Sequence, residues 1–228
     1  LREKLHSISK VELPELPEPP VIDGLPDCEL PLYPATPSGW TSDAAPPDVA
    51  VSYAVAWRPD GLYFYVRVTD PTPIVASISE PAANGDAIEL FVDSDGAFPS
   101  APHYDEPGAR RFVIAAPQDS VTPSSRGEVW SDTARIGTTW SSSRFRAYPL
   151  SFGYVVEAFV TAADLGLPAL NLAAATAAEW DLAVDVSFSD PATAGPAGHR
   201  LGRYFAHASA SSPEADARAF CRATLDGP

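Results

Sequence analysis

The sequence predicts an all-β chain: an antiparallel two-sheet β-sandwich, jelly-roll or immunoglobulin-like, with little helix. Three observations carry this. Runs such as residues 49–57 place apolar side chains at every second position, the period of a half-buried strand. There are 25 prolines in 228 residues, about twice the ordinary share, and proline at that density breaks long helices. Short alternating segments recur along the chain with turn residues between them, the pattern of a sandwich. A composition of 45% hydrophobic and 20% charged residues is ordinary for a globular chain, and the length suffices to bury a sizeable core in one domain.

Residues 1–21 read as a proline-rich arm. Its run Leu13-Pro14-Glu15-Leu16-Pro17-Glu18-Pro19-Pro20 is expected to be extended and solvated. A single sandwich domain over residues 22–228 starts at Ile22-Asp23-Gly24. Residues 25–47, rich in Pro, Asp and Ser, read as irregular structure anchored by Trp40. In the strand at 49–57, Val51, Tyr53, Val55 and Trp57 share a face. Arg58-Pro59-Asp60-Gly61 turns the chain into a second strand at 62–69, which Asp70-Pro71-Thr72-Pro73 stops because proline cannot donate to a ladder. Further strands are predicted at 86–93, 111–116, 144–148, 154–161, 180–188 and 218–225. Residues 162–167 suit one helical turn. The alanine-rich stretch 173–178 has helix propensity but is too short to be stable alone.

The chain carries 15 basic and 30 acidic residues, a net charge of −15, which repels nucleic acid and anionic membrane surfaces. No apolar run approaches the roughly 20 residues of a membrane span, so no membrane insertion is expected. There is no methionine, and the chain reads as a mature or trimmed form. Cys28 and Cys221 read as one disulfide tying the N-terminal region to the last strand, worth roughly 5 kcal/mol in the chain-entropy model. Two buried free thiols are the other reading.

Enzyme and nucleotide signatures are missing: there is no GxSxG, Walker loop, GxGxxG or HExxH. His6, His103, His199 and His207 lack metal-ligand spacing. Glu89, Glu157 and Asp185 each stand on a strand opposite its most apolar row, with Arg67 and Arg111 in comparable positions. If their strands adjoin, these acids line one sheet face, either as a polar ligand patch or as partly buried ion pairs. Two of them held ~5–9 Å apart would suit glycoside hydrolysis. Asp93-Ser94-Asp95-Gly96 opens a loop that also holds Asp105. Asp93, Asp95 and Asp105 are candidate calcium ligands, since calcium takes six to eight oxygens; a solvated turn is the alternative. Trp57 and Trp180 follow strand alternation and belong to the core. Trp130, Trp140 and Tyr104 lie in loop-like stretches, where they either pack locally or offer planes to the apolar face of a sugar.

The ordered segments Ile22-Asp23-Gly24, Leu62-Tyr63 through Val68-Thr69-Asp70-Pro71, Gly85-Asp86-Ala87-Ile88-Glu89-Leu90-Phe91-Val92-Asp93, Gly153-Tyr154-Val155-Val156-Glu157-Ala158 and Trp180-Asp181-Leu182-Ala183-Val184 resemble family 9 carbohydrate-binding modules, within the wider DOMON-like group. The resemblance covers about residues 21–225. It implies the sandwich, a secreted, cell-surface or periplasmic location, calcium sites, and attachment to polysaccharide-degrading enzymes or cell-surface proteins. The Glu that contacts sugar in such modules is retained as Glu89. Ala83 stands where they carry a sandwiching Trp. Phe112-Val113-Ile114-Ala115 stands where they present Arg and Asn, with Arg110 and Arg111 just before it. No Trp follows Trp180, and Tyr204, Phe205 and Phe220 are the aromatics left near the C-terminus. Haem-binding relatives in the wider group use Met, so no haem is expected, and no nucleotide. The expectation is a non-catalytic extracellular carbohydrate-binding module in which Glu89 accepts from sugar hydroxyls, Arg111 donates, and Trp130, Trp140 or Tyr204 gives the stacking plane. The alternative is a structural or adhesion domain of the cell surface that has lost the sugar site, as Ala83, Val113 and Ala115 would suit.

Overall fold

The computed structural model describes residues 10–27, 29–38, 48–93, 109–124, 126–130, 140, 144–167, 179–189, 200–206 and 221–225. Its strands are β1 (Lys10–Leu13), β2 (Tyr33–Pro34), β3 (Thr36–Ser38), β4 (Ala50–Arg58), β5 (Gly61–Thr69), β6 (Ala87–Asp93), β7 (Ala109–Ala115), β8 (Gly127–Trp130), β9 (Phe145–Leu150), β10 (Gly153–Thr161), β11 (Glu179–Ser189), β12 (Arg200–Ala206) and β13 (Cys221–Leu225). One 3-10 turn covers Ala82–Asn84. Five strands form one sheet in the order β2-β4-β5-β10-β9. The other sheet has eight, in the order β1-β13-β11-β6-β7-β8, with β12 sharing the β11 edge and β3 pairing β12. All pairings between named strands are antiparallel except β1 with β13.

The alternation that predicts the strands also builds the core. Val51, Tyr53, Val55 and Trp57 of β4, Leu62, Phe64, Val66 and Val68 of β5, and Tyr154, Val156 and Val160 of β10 point inward from the five-stranded sheet. They meet Ile88, Leu90 and Val92 of β6, Phe112 and Ile114 of β7 and Val186 of β11 in one apolar cluster. Burying such side chains from both sheets is the dominant stabilising term of a sandwich.

The arm departs from expectation. The proline run is extended, but it is solvated only in part: Glu15, Pro17, Glu18 and Pro19 are exposed, while Leu13 and Leu16 are anchored. Backbone pairing ties β1 to β13, Leu16 N–H donates to Trp57 O at 2.8 Å, and Trp57 N–H donates to Pro14 O at 3.0 Å. Leu13 and Leu16 are buried, Leu13 in the main core. Leu16, Ile22 and Leu30 cover the outer face of the five-stranded sheet, packing with Ala54, Ala56, Tyr63, Tyr65 and Val155 in a second cluster. Two leucines inside the proline run make a buried anchor possible; composition alone reads the run as polar.

The predicted hairpin and the strands near 86–93, 111–116, 144–148, 154–161, 180–188 and 218–225 correspond to β4–β7, β9–β11 and β13. Residues 162–167 form a hydrogen-bonded turn, with Leu165 N–H donating to Ala162 O at 3.1 Å. β1, β2, β3, β8 and β12 have no counterpart in the sequence reading: the first four are short strands that owe their existence to a neighbour rather than to their own pattern, and in β12, paired between β11 and β3, Gly202 and two arginines interrupt the alternation. Trp40, Cys28 and residues 173–178 lie outside the described residues. Cys221 opens β13, so the Cys28–Cys221 pairing also lies outside what is described.

Gly153 begins β10 with φ +129°, and a Cβ there would lie 2.1 Å from the Val68 carbonyl oxygen. Gly153→Ala is expected to cost about 2–4 kcal/mol, from backbone strain plus the clash. Urea denaturation checks this, and an unchanged midpoint would count against the turn geometry.

Candidate functional site

The outer face of the eight-stranded sheet gathers most of the chemistry. Register sets it as two adjacent rows. In one, Asp185 of β11 stands opposite Glu89 of β6, Glu89 opposite Val113 of β7, and Val113 opposite Glu128 of β8. In the next, Ala183 stands opposite Phe91, Phe91 opposite Arg111, and Arg111 opposite Trp130. Strand alternation sends Ile88, Leu90 and Val92 into the core and leaves Glu89 and Phe91 on this face.

Glu89 is fully buried. Arg111 Nε donates to its Oε2 at 2.8 Å, and Arg111 Nη2 lies 2.6 Å from the same oxygen. A charge-assisted pair this close offsets the desolvation of the carboxylate. The Arg111 guanidinium also stands 5.6 Å from the Trp130 ring centroid and 5.7 Å from that of Phe91, within cation–π range of both. Trp130 is held in turn: its Nε1 donates to Glu128 Oε2 at 3.0 Å. Glu128 is buried, and its Oε1 accepts from the Ala82 backbone N–H at 3.2 Å with Arg126 Nη2 at 3.8 Å. Beside these polar groups lies a small apolar patch of Ala82, Ala87, Val113 and Ala115, with Ala83 and Trp130 against it.

Glu89, Arg111 and Trp130 are thus brought together. Arg111 reaches Glu89 diagonally from its own strand, although Val113 is the residue directly opposite. Trp140 is elsewhere. It is buried in the core, stacked on Phe145 at 4.3 Å between centroids and tilted against Phe112 at 4.7 Å. With its rings enclosed it offers no plane to a ligand, so it is a core residue rather than a stacking platform. Tyr204 stands opposite Val186, in the register row of buried Ile88, while Phe205 stands opposite Asp185 in the row of Glu89. Glu128 is the residue that sequence reasoning missed. Its signal was the short alternation Glu128-Val129-Trp130, too brief to read as a strand alone.

Glu157 does not join Glu89. It lies on the outer face of the five-stranded sheet, beneath residues 21–27, with the main core between the two carboxylates. Tyr63 donates its hydroxyl proton to Glu157 Oε1 at 2.6 Å, and the Gly24 N–H donates to Oε2. Burial, the largest cause, and the nearby Asp27 charge push the Glu157 carboxyl up to about 7 against these hydrogen bonds. The arrangement is structural: Gly24, with φ +93°, seats against the Tyr148 ring, and Tyr148 donates to Ile22 O at 2.5 Å. A hydrolytic pair of Glu89 with Glu157 is therefore ruled out by placement.

Of the expected calcium ligands, Asp93 ends β6, buried, with Asp181 opposite it in register. Asp95 and Asp105 lie outside the described residues. Two acidic positions meeting at the strand end suit an oxygen-ligated cation but fall short of six to eight ligands. Among the described residues, no group of three or more His, Cys, Asp or Glu side chains is poised around one point. No described helix is long and apolar enough to cross a membrane.

No protein-family model matches the chain, and a search of curated proteins finds no match. Solved structures do match. A family 9 carbohydrate-binding module from Caldicellulosiruptor kristjanssonii in complex with cellotriose shares 17% identity at TM-score 0.66, covering 96% of this chain and 94% of that one. Its complex with glucose gives 18% identity and TM-score 0.65, covering 96% of each chain. A protein from Bacteroides uniformis shares 10% identity at TM-score 0.56, covering 96% of this chain and 99% of that one. The chain has the β-sandwich fold of the family 9 modules.

Proposed function

We propose that this chain is a non-catalytic, extracellular carbohydrate-binding module that acts in polysaccharide binding or degradation. The observation that carries the reading is the convergence of Glu89, Arg111 and Trp130 on one sheet face, in a fold shared with modules solved with glucose and cellotriose. Trp130 supplies a rigid plane for the C–H face of a pyranose, because Glu128 fixes its indole. Arg111 donates to hydroxyls, and Glu89, buried behind it, holds the guanidinium in position. Glu89 and Glu157 lie on different sheets with the core between them, which favours binding over catalysis by that pair. Calcium at the acidic loop after Asp93 belongs to the same reading, as a brace for that loop rather than a ligand to sugar.

A second reading is favoured by the burial of Glu89 against Arg111 and by the small apolar residues Ala83, Val113 and Ala115 at this face. It makes the face a contact surface of a structural or adhesion domain with a cell-surface protein partner.

A glycan array with and without calcium, competed by free mono- and oligosaccharides, separates the two. The expected result is selective binding displaced by free sugar and reduced at least tenfold in Trp130→Ala, measured at a temperature where the variant stays folded, since the indole also bonds buried Glu128. Trp140→Ala is expected to lose about 3–5 kcal/mol of stability instead, as a core aromatic does. Undiminished binding by Trp130→Ala would relocate the site. No binding in either condition would favour the adhesion reading.

A further inference from the structure

Beside the Glu89–Arg111–Trp130 face, two hollows join along an edge of the sandwich. The larger, of about 560 Å³, is lined on its apolar side by Val75, Ile78 and Pro123 and on its polar side by Gln118, Thr122 and Ser124. Its size is within the roughly 300–1,000 Å³ of small-ligand sites. The smaller, of about 220 Å³, runs on from Gln118 and Asp119, which line both, toward Ser120 and Ser151 between Pro117 and Pro149. Sharing Gln118 and Asp119, the two hollows together offer more room than either alone, and we take them as one track.

Its walls are already fixed. Arg126 donates to Ala76 O at 2.7 Å and to Glu80 O, drawing the 74–80 segment onto β8. Asp119 Oδ1 accepts from the Val121 and Thr122 N–H groups at 2.8 and 2.5 Å, which closes that loop on itself. A preorganised wall loses little entropy on binding. One end of the track is Glu128, which lines the larger hollow and holds Trp130. At the other end Ser151 and Gly153 line the smaller hollow, and between them Phe152 is 73% exposed at the tip of the turn. Trp130, bonded to the lining residue Glu128, and Phe152, next in sequence to two lining residues, therefore flank a path of apolar and hydrogen-bonding groups without lining it. Among its described lining residues are the carboxylates of Asp70, Asp119 and Glu128, while the Arg126 guanidinium is turned to backbone carbonyls. That balance repels polyanions.

We propose that this track takes a neutral polysaccharide chain lengthwise, over several sugar units, so that the module recognises chain interiors and not a terminal sugar alone. The proposal rests on the carbohydrate-binding reading above and names its substrate class.

Calorimetric titration tests it, using β-1,4-glucan, xylan and mannan oligosaccharides of one to six units, each also with its reducing end converted to the alditol. The expected result, in at least one series, is affinity rising at least tenfold from one unit to four and unaffected by reduction of the end. Gln118→Ala and Phe152→Ala, both at exposed positions, are each expected to remove most of that gain while leaving single-sugar binding unchanged. Binding that is flat with length, or lost on reducing the end, would overturn the track while leaving the carbohydrate reading intact. Binding by no series would overturn both. Tighter binding of polygalacturonate than of the neutral chains would overturn the neutral class.

Discussion

At pH 5 the chain is expected to unfold at a higher urea concentration than at pH 8, and Glu157→Gln is expected to flatten most of that difference. The cause is the seating of residues 21–27 on the outer face of the five-stranded sheet. Glu157 is fully buried there, with Tyr63 and the Gly24 N–H as its donors. Its pKa rises from 4.5 to about 7, so the folded chain holds the proton more tightly than the unfolded one. The stability this confers is complete below about pH 4.5, declines as pH rises through the window to about 7, and is constant above it. The loss is about 2 kcal/mol, allowing for solvent screening at a site covered by one segment. Asp27 is also raised, chiefly by burial, and adds in the same direction, so some slope survives the substitution. Tyr63 is pushed further above its usual range by burial and by Glu157, so it keeps its proton throughout. Equal slopes for the parent and the Gln variant would show that Glu157 is not the titrating group.

Arg111→Ala is expected to lower stability by about 3–5 kcal/mol, or roughly 10 °C in Tm, before any ligand is considered. The substitution takes away the guanidinium that lies 2.6 Å from a carboxylate with no exposed surface. It also removes a cation from between the Trp130 and Phe91 rings. The double substitution Glu89→Leu with Arg111→Leu is expected to lose less than Arg111→Ala alone, because no buried charge is then left behind. Scanning calorimetry of the two variants checks both statements. An Arg111→Ala variant within about 0.5 kcal/mol of the parent would mean that other groups carry the Glu89 charge. In ligand titrations the same single variant is expected to weaken sugar binding more than tenfold, but that loss is interpretable only at a temperature where the variant remains folded.

The long strands were legible because period-2 alternation over seven or more residues reports a buried face whatever lies across from it. β4, β5, β6 and β10 are such cases, and the inward rows read from sequence are the rows found in the core. β8 was illegible: four residues with a glycine and a glutamate have no decisive pattern, and the strand exists because β7 offers its edge. β1 is more extreme, since its partner lies some two hundred residues further along the chain. Trp130 and Trp140 show the same limit at the site. Both are indoles in a Ser- and Gly-rich stretch, and neither neighbourhood in sequence says which will be enclosed by Phe112 and Phe145 and which will stay at the surface beside Arg111.

By itself the sequence determined the class of fold, the hairpin, the composition of the core rows and the presence of Glu89 on an outward row, because these depend on local periodicity and on where proline and glycine interrupt it. Only the tertiary structure decided which carboxylates keep company. Glu89, Glu157 and Asp185 look alike in strand context, yet Asp185 stands beside Glu89 while Glu157 lies on the other sheet, under the N-terminal segment. The physical reason is that strand order is set by packing and by loop connections between distant segments, and no local pattern records which edge a strand will find.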